Sequence, residues 1–229
     1  MLITRMIALS TASLVISAAA ASSGAAALSR YRGFEFGSSL AAVARLAGIT
    51  PESRVVHQRP ELIQEVMWLP GGPASVDANA GSLRKVIFRF YNDQLSRIVV
   101  SYDRDKTEGL TAADMIEAVS TLYGAPTLTL PGAGSPVSSP SSAHDKLVAH
   151  WEDSQHSVTL FRSSYLSTFG LVLLSKQLDG LATLASAEAI LQDDREAPQR
   201  EVERQQQLTP ENRLAQDSAR RANKATFKP

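Results

Sequence analysis

Apolar and polar residues alternate with period two along 83–102. Val86, Phe88 and Phe90 fall on one side of a strand with Ile87, Arg89 and Tyr91 on the other, and Ile98, Val100 and Tyr102 alternate with Arg97, Val99 and Ser101. Such alternation marks strands that bury one face. Asn92-Asp93 between the two runs predicts a tight hairpin, because Asn and Asp tolerate the left-handed backbone that a primed turn needs. The same period predicts a strand over 31–36, strands over 54–58 and 62–69, and a second hairpin from 147–151 and 158–161 around 152–155. Phe169 to Ser175 is apolar on both sides and reads as a central strand.

Three-to-four spacing predicts helices elsewhere. Leu40, Val43 and Leu46 form a stripe behind Ser38 or Ser39 as cap, with Gly48 and Pro51 as stop signals. Met115, Ile116, Val119 and Leu122 form a second, opened by Thr111-Ala112-Ala113-Asp114 in the manner of a capping box and closed by Gly124 and Pro126. Residues 70–82 and 125–143 are rich in Pro, Gly, Ala and Ser and read as loops. From 178 the character changes. Leu178, Leu181, Leu184 and Leu191 fit a helix that Pro198 is expected to end or kink, since proline lacks the amide hydrogen and clashes with the preceding turn. Beyond Asp193 the chain is mostly charged, Gln and Ala, with few apolar residues to build a core.

These elements predict an α+β domain over 28–177: antiparallel sheet built from hairpins, with short helices packed on one face. Helix, Gly stop and hairpin recur, which predicts two similar halves at 31–103 and 109–175. A charged tail, helical or disordered, follows over 178–229. Residues 1–27 read as an export signal, with a positive start at Arg5, an apolar stretch over 6–21 and small residues that allow cleavage after Ala21 or Ala27. The apolar stretch is shorter than the roughly 20 residues that span a bilayer. The mature chain is therefore expected to be exported, periplasmic or secreted, with no transmembrane segment after cleavage.

Composition narrows the chemistry. The 229 residues carry 23 basic and 23 acidic side chains, so the charge excess that dominates phosphate-backbone binding is missing and nucleic acid is not an expected partner. The absence of cysteine removes disulfides, thiol catalysis and thiolate zinc sites. Of the four histidines, His150 and His156 flank the predicted turn beside Glu152 and Asp153, a polar cluster that reads as solvent-facing and not as a fixed ligand set. Ser82-Leu83-Arg84-Lys85 has the S-x-x-K spacing but enters a strand, where Ser and Lys do not share a helical face. The acidic group Asp103, Asp105, Glu108 and Asp114 is interleaved with Arg104 and Lys106 and lacks calcium-loop spacing, so it reads as a cap and turn. No residue is assigned as catalytic, cofactor-binding or metal-ligating, and no cofactor is expected.

Phe36-Gly37-Ser38-Ser39-Leu40, with Val43, Leu46 and Gly48, and later Val119 to Pro126, follow a strand, Gly-x-Ser, helix and Leu-x-Gly-x-Pro grammar. That grammar resembles two kinds of bacterial envelope protein: the small lipoprotein of the outer-membrane β-barrel assembly machinery, and the β-lactamase-inhibitory-protein fold. The resemblance covers about thirty residues, without the lipoprotein cysteine or a disulfide. It implies helices layered on an antiparallel sheet and a role in binding proteins, and it carries over no functional residue.

The function expected from these observations is a non-enzymatic binding or adaptor module acting on another envelope protein through an uncovered sheet face. That face is expected to present Arg89, Tyr91 and Arg97. The alternatives are a hydrolase centred on His150, Glu152, Asp153 and His156, favoured by a convergent pocket there, and a small-ligand carrier with an apolar cavity between sheet and helices.

Overall fold

The computed structural model describes residues 28–70, 81–129, 145–164 and 167–227. The predicted leader, the Gly-rich stretches at 71–73 and 132–134, His144 and Tyr165 lie outside the described residues. In chain order the elements are β1 (Arg30–Tyr31), β2 (Phe34–Glu35), α1 (Leu40–Ala47), β3 (Arg54–His57), β4 (Ile63–Trp68), β5 (Leu83–Tyr91) and β6 (Gln94–Tyr102). They continue with α2 (Arg104–Thr107), α3 (Ala112–Tyr123), β7 (Leu128–Thr129), β8 (Asp145–Glu152), β9 (His156–Ser163), β10 (Phe169–Ser175) and α4 (Lys176–Thr226).

Eight strands form one antiparallel sheet in the order β3-β4-β5-β6-β10-β9-β8-β7. Each of β3 to β6 and β7 to β10 is a meander of consecutive neighbours. The two meanders join where β6 pairs β10, from Gly170 opposite Ser101 to Leu174 opposite Arg97. The fold is α+β, and β10 occupies the central place expected of a strand apolar on both sides.

Local chemistry explains most boundaries. Asn92 and Asp93 both have positive φ, 45° and 63°, as the hairpin turn requires. Their side chains reach further: Asn92 Oδ1 accepts the Leu62 amide at 3.0 Å and Asp93 Oδ1 accepts the Leu40 amide at 2.9 Å, so the turn also satisfies a free donor at the start of α1. Ser39 caps α1 and Gly48 closes it in the left-handed conformation, at φ 66°. Thr111 and Asp114 form the reciprocal capping box of α3. Asp103 accepts the Asp105 and Lys106 amides and starts the one-turn α2, so the acidic segment is the cap and turn its composition indicated.

Residues 31–36 depart from the single strand expected. Arg32 (φ 48°) and Gly33 (φ 89°) make a tight reversal that divides the segment into β1 and β2. Tyr31 and Phe34 still both enter the core. The alternation came from a hairpin folded over the core and not from an extended strand.

One face of the sheet carries the main core. Phe88, Phe90, Ile98, Val100, Trp151, Leu160 and Leu171 pack beneath Leu40, Val43 and Ala47 of α1 and Met115, Val119 and Tyr123 of α3. Each such side chain contributes about 2 kcal/mol through apolar burial. Phe34 lies 4.6 Å from Phe88 and 5.6 Å from Trp68 between ring centroids, and Trp151 donates to the Gly124 carbonyl at 2.9 Å.

The tail differs most from expectation. It is one helix of 51 residues that runs through Pro198 and Pro210. The prolines free the Asp194 and Gln206 carbonyls; beside these, Arg200 donates to the Asp193 carbonyl and Thr209 to the Gln205 carbonyl, each at 2.8 Å. Exposure leaves the freed carbonyls open to water, which lowers the cost of an interior proline. The buried stripe is Ala182, Ala185 and Ala189, whereas Leu181, Leu184 and Leu191 face outward. Small side chains let the helix lie close on the sheet.

Candidate functional site

Alternation places Arg89, Tyr91 and Arg97 on the sheet face opposite the main core, as read from the sequence. The register sets Glu65 opposite Arg89, Arg89 opposite Arg97, and Ile63 opposite Tyr91. Two arginines directly across a strand pair repel one another, and each is neutralised by its own carboxylate. Arg89 pairs with Glu65 at 2.8 Å. Arg97 makes a bidentate pair with Asp179 of α4, at 2.6 Å from Nε to Oδ1 and 2.5 Å from Nη2 to Oδ2.

This pairing corrects the expectation that the face is uncovered at these residues. The first part of α4 lies across β5, β6 and β10, and Tyr91 packs with Ile63, Ala182 and Ala185 beneath it. Arg97 and Tyr91 are internal contacts of the fold, and Arg89 stands at the margin of the cover.

Beside α4 the same face continues as an apolar row. Met67 lies opposite Ile87, Ile87 opposite Val99, and Val99 opposite Val172. The row then runs through Thr159 to His150. Met67 is 60% exposed, Ile87 and Val99 are half-buried, and Val172 is buried, so the open part of the row ends at Val99. The residues Val86-Ile87-Phe88 and Ile98-Val99-Val100 are apolar on both sides of their strands, and that signal was available in the sequence to mark this row. Met67 itself, alternating with Val66 and Trp68, carried no separate mark.

The 150–156 turn gathers a polar cluster, but its two histidines point apart. His150 and Glu152 lie on the face of the apolar row, with His150 Nδ1 3.0 Å from Thr159 Oγ1. His156 lies on the core side and stacks on Phe36 with ring centroids 5.5 Å apart. The two rings fall on opposite faces because His150 pairs Thr159 and an odd offset separates Thr159 from His156. The residue that organises the cluster is Lys176, which sequence reasoning missed. Its Nζ donates to Glu152 at 2.7 Å and to the Asp153 carbonyl at 2.7 Å, and its amide donates to the Gln155 carbonyl at 2.8 Å. The turn therefore holds the root of α4. Among the described residues no group of three or more His, Asp or Glu side chains is placed to hold a metal ion.

Both carboxylates of this turn are shifted. Glu152 is held below the usual carboxylate range, first by the Lys176 hydrogen bond and charge and then by His150. Burial pushes Asp153 up, but the Gln155 and His156 amides and the His156 ring outweigh it and leave the group lowered. Groups depressed in the folded state stabilise it fully above their unfolded pKa, about 4, and lose that contribution as pH falls through the folded values. The protection of amides over 152–156 and the first turn of α4, relative to their intrinsic exchange rates, is therefore expected to fall in acid, with NMR midpoints for both carboxylates below ordinary values. Ordinary midpoints would refute this account of the turn.

A cavity of about 220 Å³ lies between the end of β3 and α4, lined by His57, Arg59, Gln192 and Asp193 among others. Its rim is bridged by Arg59 and Glu196 at 3.1 Å. No helix of the described residues is long and apolar enough to cross a membrane. Comparison with protein families, curated proteins and solved structures finds no match to this chain.

Proposed function

We propose that this chain is an exported, non-enzymatic binding module that docks another envelope protein on the part of the sheet face beside α4. The observation that carries the reading is the row Met67, Ile87 and Val99, a contiguous apolar strip on the sheet face opposite the main core, the kind of strip that marks an interaction site. Arg89, already neutralised by Glu65, borders that row and supplies the kind of polar rim that surrounds an apolar contact. The leader-like segment at 1–27 supports export, and the even charge balance supports a protein and not a nucleic acid as partner.

The hydrolase and carrier alternatives draw less support. The four residues of the polar turn are divided between two faces, and the cavity beside α4 is small and lined by polar side chains.

The test is capture from the native envelope on immobilised chain lacking 1–27, beside a Met67→Lys variant that leaves the core untouched. A specific protein held by the parent and bound at least about tenfold more weakly by the variant is the expected result. Equal retention by both would overturn the sheet-face reading.

A further inference from the structure

Beyond Glu196 no described side chain of α4 is buried, although the helix continues for about 45 Å at 1.5 Å per residue. Helices in proteins draw most of their stability from packing one face on something, and among the described residues nothing buries a side chain of this half. Its charges are also divided. Residues 188–203 carry six acidic and two basic side chains, net −4, and residues 204–224 carry five basic and two acidic, net +3.

Projected at about 100° per residue, Leu184, Leu191, Val202 and Phe227 fall within about 20° of one line. That line lies opposite the Ala182, Ala185 and Ala189 stripe that faces the sheet. These four are exposed, from 54% to 76%. Pro198, Thr209 and Gln216 fall within about 30° of the same line, as do Arg195, Arg213 and Arg220.

We propose that α4 pairs antiparallel with α4 of a second copy, along this line, about a two-fold axis near Gln206. That axis sets Glu188 against Lys224 and Arg195 against Asp217, four opposite-charge pairs across the symmetric interface. All four side chains lie on one flank of that line, where antiparallel helices present their charges to each other. Among the described residues none of the four makes an ion pair within its own chain. A parallel pair would set like charges together and is disfavoured by the same arithmetic. The surface is separate from the Met67 row, so this inference stands or falls independently of the docking proposed there.

Sedimentation of the full chain lacking 1–27 tests it. The expected result is a concentration-dependent dimer that weakens with salt, because exposed pairs are screened. Lys224→Glu is expected to weaken association about tenfold by turning two attractions into repulsions, and Glu188→Lys combined with Lys224→Glu is expected to restore it. A merely structural role for either residue would not be rescued by the swap. Because the chain has no cysteine, Glu188→Cys and Lys224→Cys report orientation directly: mixed, they form the 188–224 disulfide if antiparallel. Self-crosslinks alone would overturn the antiparallel arrangement. A monomer at high micromolar concentration would overturn the dimer, and in that case binding of vesicles of anionic phospholipid would reassign the basic end to a surface.

Discussion

Asp179→Ala is expected to lower the unfolding free energy by about 3 kcal/mol, or to free the first turns of α4 at comparable cost. Arg97 and Asp179 are 14% and 11% exposed at the side chain and bonded through two contacts. Removing one partner leaves a guanidinium shielded from water with no countercharge, which typically costs 3–5 kcal/mol, as an order of magnitude. Replacing both is different. An Arg97→Leu, Asp179→Leu chain is expected to regain most of the loss, because the pair spends much of its attraction on desolvation. Urea unfolding gives the free energies, and amide exchange over 176–192 separates local release from global unfolding. If Asp179→Ala matches the parent in both measurements, the pair does not hold the helix.

Gly170→Ala is expected to cost about 3 kcal/mol. A methyl group there would sit 2.6 Å from the Val100 carbonyl oxygen and 2.8 Å from Phe161 Cε1, with Cζ closer still. The ring can turn away, but the carbonyl belongs to the β6 backbone and cannot. Adding Phe161→Ala is expected to relieve only the ring contact, so the double variant should not recover the stability of Phe161→Ala alone. Gly170 lies opposite Ser101 where the two meanders join. Unchanged denaturation midpoints for Gly170→Ala would mean that β6 and β10 sit further apart than described.

Much of this architecture was legible because it is local. Asn92-Asp93 carries its own turn chemistry, Ser39 and Thr111 carry their own caps, and alternation in β5 and β6 reports which side chains share a face whatever else the chain does. The same alternation placed Arg89, Tyr91 and Arg97 together. Where the reading failed, the deciding contact was distant or the pattern ambiguous. The reversal at Arg32-Gly33 mimics a strand, because both arms of a two-residue hairpin send an aromatic inward. For α4, the leucines are the more apolar candidates for burial, yet the close sheet surface selects the alanines.

What the sequence determined by itself is therefore the set of elements and the two faces of each strand, since turn, cap and periodicity act over a few residues. What only the tertiary structure decided is which face stays open and what α4 does with it. Arg97 and Asp179 meet across 82 positions of chain, and the cost of leaving two like-charged arginines side by side is met only when a carboxylate from elsewhere comes to one of them. That contact turns an expected docking surface into an internal joint, and moves the open surface one row along, to Met67, Ile87 and Val99.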